Sequence, residues 1–86
     1  MREHQIGYVS NYFGKIHVAA VELTDDALEK GDMLHFHGHT TDCETMADSI
    51  EIDHHAVAMA GKGASVGVKV MDRVRRGDKV FKEDEE

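Results

Sequence analysis

Short runs of strand-forming residues, separated by glycine-containing turns, dominate this sequence. In one run Val66, Val68 and Val70 occupy alternate positions, and no stretch of the sequence keeps apolar residues at helical spacing over three turns. Successive side chains of a strand point to opposite faces, so each run can bury one face and expose the other. The pattern predicts an all-β fold.

The runs predict six strands. We expect them at residues 6–13, 16–23, 33–39, 44–52, 66–70 and 79–82, while residues 53–60 fit either a crossing strand or a helical turn. Six strands of this length can close into a small Greek-key-like barrel, which leaves no exposed sheet edge. The sequence therefore predicts a single six-stranded β-barrel.

Two irregularities interrupt the alternation. Ile16 and Val18 share one phase while Val21 and Leu23 share the other, which predicts a β-bulge near residues 19–20. Asp48 falls in the apolar phase of the fourth predicted strand, and the alternation gives no reason for a carboxylate there.

One turn occurs twice. The sequence Lys30-Gly31-Asp32 precedes the third predicted strand, and Arg76-Gly77-Asp78 precedes the last. Glycine can adopt the positive φ that reverses the chain, and an aspartate side chain can accept a hydrogen bond from the turn backbone. Both segments are predicted to be tight turns of the same kind.

Length and charge limit the organisation of the chain. Its 86 residues suffice for one hydrophobic core, so we expect a single domain over residues 1–82 with an acidic tail at 83–86. The net charge of −7 disfavours nonspecific binding to nucleic acid, yet residues 62–82 contain seven Lys or Arg and only two Asp. Binding of a phosphate group by residues 62–82 therefore remains an alternative.

Cysteine use and hydropathy predict a location. Cys43 is the only cysteine, so the chain cannot form an internal disulfide. Small secreted domains, by contrast, usually contain several disulfides. The first residues are polar, and no apolar run approaches the length that spans a membrane. We expect a soluble, cytoplasmic protein that does not contact a membrane.

The order of these elements resembles the second domain of translational GTPases such as elongation factor Tu. The resemblance covers most of the chain and includes residues 6–9, 15–23, 30–32, 66–70 and 76–81. The loop motif Gly38-His39-Thr40-Thr41-Asp42 is similar to that of small stand-alone proteins called translation elongation factor-like. The resemblance implies a barrel of the domain II type with contacts to tRNA, ribosomal RNA or a translation protein.

The same barrel also resembles the C-terminal module of some collagenase-like peptidases, so the fold alone does not assign a pathway. GTP binding is not expected, because Gly63 follows Lys62 where a phosphate-binding loop requires Ser or Thr.

Three histidines alternate along the third predicted strand. If Leu34 and Phe36 point inward, then His35, His37 and His39 share the outer face. Imidazoles on alternate positions can bind zinc or copper, with Asp42 or Cys43 completing the site. A solvated histidine-rich face is the favoured interpretation, so we expect no cofactor.

The histidines also allow a response to pH. Protonation of all seven histidines would move the formal net charge from −7 to 0, so association could change between pH 5 and 7.

A catalytic site is not predicted. Cys43 beside a histidine could form a nucleophile and base pair, but a structural cysteine is favoured because no oxyanion-stabilising group is identifiable. We therefore expect a protein that is not an enzyme.

A basic stretch provides candidate phosphate contacts. Its members are Lys69, Arg73, Arg75, Arg76 and Lys79. Such residues can follow a nucleic-acid backbone, and a solvated, charge-guarded strand edge is an equally good interpretation. The leading hypothesis is a non-enzymatic barrel that binds RNA or a protein partner. The alternatives are a histidine-rich metal-binding or pH-responsive module and an accessory subunit of a larger enzyme, and self-association is left open.

Overall fold

The computed structural model describes residues 2–84, and it contains ten strands and no helix within that range. The strands are β1 (Arg2–Phe13), β2 (Val18–Leu23), β3 (Leu28–Glu29), β4 (Met33–His37), β5 (Asp42–Met46), β6 (Ile50–Ile52), β7 (His55–Val57), β8 (Met59–Ala60), β9 (Ser65–Lys69) and β10 (Lys79–Asp84). The prediction of an all-β fold is confirmed.

Eight of these strands form one antiparallel sheet, in the order β5-β4-β10-β1-β2-β9-β6-β7. Strands β3 and β8 form a separate two-stranded sheet. Among the described residues β5 and β7 end the large sheet and do not pair with each other. The predicted six-stranded closed barrel is therefore wrong: the sheet has more strands and keeps two edges.

One hydrophobic core underlies the sheet. It takes one face of almost every strand, and its largest fully buried side chains are Phe36, Ile6, Leu23, Leu28, Leu34 and Ile50. Because strands far apart in the sheet order contribute to the same core, the sheet must curve around it. The alternation of apolar residues predicted this inward face correctly for Leu34, Phe36, Val66 and Val68.

The bulge between the first two strands lies in β1 rather than in β2. Val9 pairs with Val21 and Asn11 with Ala20, so Ser10 is the extra residue. In β2 the residues Ala19, Val21 and Leu23 alternate without interruption toward the core. Ile16 lies in the turn and is exposed, which explains the change of phase that led us to place the bulge near residues 19–20.

The fourth predicted strand is two strands. β5 ends at Met46 and β6 begins at Ile50, with Ala47, Asp48 and Ser49 between them. Asp48 is exposed in this break, so its carboxylate stays in water and needs no place in the core. The segment at 53–60 forms β7 and β8 rather than a helical turn.

The two Gly-Asp turns have the same geometry, as predicted. Gly31 and Gly77 have φ values of 99° and 93°. Asp32 Oδ2 accepts a hydrogen bond from the Glu29 amide at 2.9 Å, and Asp78 Oδ2 accepts one from the Arg75 amide at 2.8 Å. In each turn a glycine reverses the chain and an aspartate three residues after the donor closes it.

The last strand continues past residue 82. Glu83 and Asp84 belong to β10 and pair with Glu3 and Arg2 of β1, while Glu85 and Glu86 of the predicted acidic tail lie outside the described residues. No helix in residues 2–84 is long and apolar enough to cross a membrane.

Candidate functional site

The outer face of strands β1, β10, β4 and β5 carries a compact group of histidines and carboxylates. One row across these strands is Tyr8, Lys79, His37 and Asp42, and the next row is Gln5, Phe81, His35 and Glu44. Opposite residues of antiparallel strands share a face, so these side chains are neighbours although the sequence separates them widely.

His35 lies between two carboxylates at the centre of this face. Its Nε2 is 2.6 Å from Asp42 Oδ1 and its Nδ1 is 3.0 Å from Glu3 Oε2. The hydrogen bond to Asp42, followed by that to Glu3, raises the pKa of His35. The bond with His35 in turn lowers the pKa of Asp42. The imidazole thus links β1, β4 and β5 through two carboxylates that favour its protonated form.

A second histidine has the same arrangement at one end of β1. His4 Nε2 is 2.7 Å from Asp26 Oδ2, and His4 Nδ1 is 2.7 Å from Asp84 Oδ2. Hydrogen bonds to Asp26 and then Asp84 raise the pKa of His4. Lys82 Nζ lies 3.6 Å from the same Asp26 carboxylate. This cluster links β1 to β10 and to the loop before β3.

Two carboxylates crowd each other beside His35. A hydrogen bond with the Glu44 side chain raises the pKa of Glu83, and the nearby charge of Glu3 raises it further. Two neighbouring carboxylates repel each other when both are ionised, so a cation placed next to them would stabilise this part of the face.

The three histidines considered as candidate metal ligands do not converge. Both ring nitrogens of His35 form hydrogen bonds with carboxylates. The centroid of its ring is 5.7 Å from that of the exposed His37 ring. His39 lies in the exposed turn after the end of β4. Within residues 2–84 no three His, Cys, Asp or Glu side chains are grouped to hold a metal ion.

The loop motif at residues 38–42 is a tight turn between β4 and β5. The Gly38 amide donates to the Thr41 carbonyl at 2.8 Å, and Thr41 is buried. A Cβ on Gly38 would overlap the side chain of Asp78, which is itself buried. The motif therefore has a structural role: it lets this turn lie against the turn that precedes β10.

The predicted basic residues do not form one patch. Arg73, Arg75 and Arg76 line a shallow hollow next to Tyr12 on the segment between β9 and β10. Lys69 and Lys79 lie on strands that β1 and β2 separate in the sheet. The sequence grouped these residues because they are close along the chain.

Cys43 lacks the features of a nucleophile. The side chain is half-buried in β5, and burial raises the pKa of its thiol, with a further rise from the charges of Asp72 and Asp78. A reactive cysteine needs a thiol that ionises readily. The geometry favours the structural interpretation.

The sequence did not predict a groove next to the free edge of β5. It has a volume of about 680 Å³ and lies between Glu44, Thr45 and Met46 on one side and Lys69, Val70 and Met71 on the other. Met46 and Met71 are 46% and 85% exposed, which is unusual for methionine. No single segment of the sequence contains this surface, because its two walls are more than twenty residues apart.

No protein-family model matches the chain. A protein of Methanocaldococcus jannaschii described as an uncharacterized protease is 43% identical to it over 81 residues. The alignment covers 93% of this chain but only 20% of the relative. The chain thus spans about a fifth of the length of this curated relative.

Two solved structures have the same fold. Both are of the C-terminal domain of a Geobacillus thermoleovorans protein assigned to the U32 peptidases. One has a TM-score of 0.85 at 19% identity and covers 93% of this chain and 92% of that domain. The other, a selenomethionine variant, has a TM-score of 0.83 at 18% identity and covers 90% of this chain and 96% of that domain. At these identities the likeness is one of fold.

These similarities correct the assignment to translation. The relation to the second domain of elongation factor Tu is wrong, and so is the inference of a module that binds RNA or a translation protein. The resemblance to a C-terminal module of peptidases is the one that the comparisons support. Small β domains share alternating strands and glycine turns whatever they do, so the same pattern fitted both families.

Proposed function

We propose that this chain is the accessory domain of a U32-type peptidase and has no peptidase activity of its own. One observation carries the proposal: nearly all of this chain aligns with only a fifth of a protein described as a protease. The other four-fifths of such a protein has room for the catalytic machinery. The solved domains of the same fold are C-terminal parts of a U32 peptidase, which supports the same division of labour.

The chemistry of Cys43, His4 and His35 agrees with a supporting role. The Cys43 thiol has a raised pKa, and both nitrogens of His4 and of His35 are engaged with carboxylates. A general base needs a nitrogen free to take a proton, and a nucleophile needs a readily ionised thiol. We also propose a cytoplasmic location, since a single cysteine is unusual in small secreted domains.

Affinity purification from the cells that make the protein tests this function. The tagged chain should bring with it a protein similar in sequence to the other four-fifths of the M. jannaschii relative, identified by mass spectrometry. The purified complex should cleave fluorescein-labelled casein, while the chain alone should not. Cys43→Ser and His35→Gln should each leave the rate of the complex within about twofold, because neither residue contacts the substrate in this proposal.

Two results would contradict it. One is the absence of any such peptidase among the co-purifying proteins. The other is casein cleavage by the chain alone that Cys43→Ser or His35→Gln abolishes.

A further inference from the structure

Strand β5 presents unpaired backbone groups along one edge of the large sheet. Among the described residues it pairs only with β4. The Gly38 amide bonds to the Thr41 carbonyl, and the Ala47 amide bonds to the Asp32 carbonyl, which fixes the alternation along the pair. Cys43 and Thr45 therefore bond to β4, while the backbone groups of Asp42 and Glu44 point away from the sheet.

The groove defined above lies along this edge and can receive side chains. Its walls include Met33, Met46 and Met71, and Val70 is also part of the lining. Methionine side chains are flexible and polarisable, so they adapt to different apolar partners. An extended chain added to β5 would find hydrogen bonds at the edge and apolar contacts in the groove.

The charges at the edge select what can pair with it. Asp42 and Glu44 lie on the outer face of β5, and Asp48 lines the groove close by, while the cation of Lys69 lies on the opposite wall of the groove. A second copy pairing antiparallel through β5 would bring carboxylates opposite one another, which disfavours self-pairing. A strand with Lys or Arg at alternate positions would place cations beside Asp42 and Glu44, and would relieve the crowding of Glu44 against Glu83.

We propose that β5 receives, as an additional strand, an extended basic segment of the peptidase part that this domain serves. The inference rests on the proposed function and names the surface through which the domain is attached. On one face of that segment Lys or Arg side chains lie beside Asp42 and Glu44. On the other face apolar side chains contact Met71, as the two-residue period of a strand requires.

A synthetic peptide tests the edge directly. The probe is a fluorescent, acetylated peptide with three Lys-Val repeats, and its matched control has the same sequence with alternate amides N-methylated. Methylation keeps the charge and removes the donors that strand pairing needs. The probe should bind and slow amide exchange at Asp42 and Glu44, and the methylated peptide should bind at least about tenfold more weakly.

Charge reversal at the edge is the second arm. Glu44→Lys should weaken binding of the probe by about tenfold, because it replaces an attractive cross-strand pair with a repulsive one. Glu51→Lys makes the same charge change at an exposed site on β6, away from the groove, and should change binding by less than about twofold. Circular dichroism melting of both variants verifies that they fold.

The outcomes separate this inference from the proposed function. Equal binding of the two peptides, or amide exchange at β5 that the probe does not slow, would overturn the inference that β5 receives a strand. If the peptidase co-purifies equally well with the Glu44→Lys variant, the inference about β5 is again overturned, while the proposed accessory role stands. If no peptidase co-purifies with the unaltered chain, the accessory role and the occupant named here both fail. Loss of the peptidase with Glu44→Lys but not with Glu51→Lys supports both.

Discussion

The imidazole of His35 is held 2.6 Å from the carboxylate of Asp42, seven residues later in the chain. The two residues are not directly opposite in the β4 and β5 register, since His35 pairs with Glu44 and His37 with Asp42. Asp42 reaches diagonally across the pair to the histidine, while Glu3 approaches the other ring nitrogen from β1. One imidazole ring thus joins three strands.

This arrangement predicts that stability falls as pH rises above the ordinary histidine range. The pKa of His35 is raised in the folded protein from an ordinary 6.5, and that of His4 is raised as well. The folded state therefore holds its protons more tightly than the unfolded state, so the stabilisation is complete below about pH 6.5. This stabilisation is lost as the pH rises through the raised pKa values of His35 and His4. The free energy of unfolding, measured by urea denaturation from pH 5 to 9, should therefore decline above about pH 6.5.

The acidic side of the same pairs behaves in the opposite sense. The pKa values of Asp42 and Asp26 are lowered, so their contribution to stability is present above an ordinary pKa of 3.8 and is lost as the pH falls through the lowered values.

The combined His4→Gln and His35→Gln variant should remove most of the decline in stability above pH 6.5. His39→Gln, in an exposed turn, is the control and should keep it; an unchanged profile in the double variant would contradict the assignment.

Substitution of Gly38 by alanine should destabilise the protein by about 1–3 kcal/mol, because the new methyl group must displace the buried Asp78 carboxylate. Thermal or urea unfolding measures the loss. Gly14→Ala places a methyl group at ordinary contact distance in an exposed turn and should cost much less.

A double-mutant cycle identifies the cause. If the clash is with Asp78, Gly38→Ala should cost less in an Asp78→Ala background than in the unaltered protein. Additive effects would show that another feature of the turn requires glycine.

Local patterns in the sequence predicted much of the fold. Alternating residues located the inward faces of β4 and β9, and the repeated Gly-Asp turns follow from properties of those two residues alone. Asp48 was itself a sign that the fourth predicted strand is interrupted, since a carboxylate does not occupy a core position without a partner. The break at 47–49 accounts for it.

The site depends on register and could not be predicted in the same way. Glu3 and His35 are 32 residues apart and meet only because β10 lies between β1 and β4 in the sheet. The period of two correctly placed His35 and His37 on one face, but it could not show that carboxylates from other strands already occupy both nitrogens of His35. The order of strands is set by packing of the whole core, which no short segment encodes.

Gly77→Ala should cost about 1–2 kcal/mol, because the residue has a φ of 93°, where a Cβ is strained. Gly61 is the matched control: a Cβ there would also meet no neighbour within 4 Å, but its φ is not in the strained range. Gly61→Ala should therefore be neutral or slightly stabilising in urea unfolding. Equal losses for the two variants would contradict a backbone origin.

Thr45→Val should stabilise the protein by about 1 kcal/mol. The Thr45 hydroxyl is buried and has no hydrogen-bond partner among residues 2–84, so it loses its water on folding without compensation. Valine has nearly the same shape and no polar atom. Thr24→Val, which removes an exposed hydroxyl bonded to Asp25, is the comparison and should have little effect. A loss of stability with Thr45→Val would mean that the hydroxyl is satisfied in solution.

The reactivity of Cys43 bears on whether the chain is catalytic. Burial first, and then the charges of Asp72, Asp78 and Asp42, raise the pKa of its thiol above an ordinary 9.0. Only the thiolate reacts, so at pH 7.5 the folded protein should consume a disulfide reagent such as dithionitrobenzoate at least about tenfold more slowly than a free thiol does. Unfolding in urea removes the burial and should restore the ordinary rate. A folded protein that reacts faster than a free thiol would indicate an activated nucleophile, and the proposal of a purely accessory domain would then be wrong.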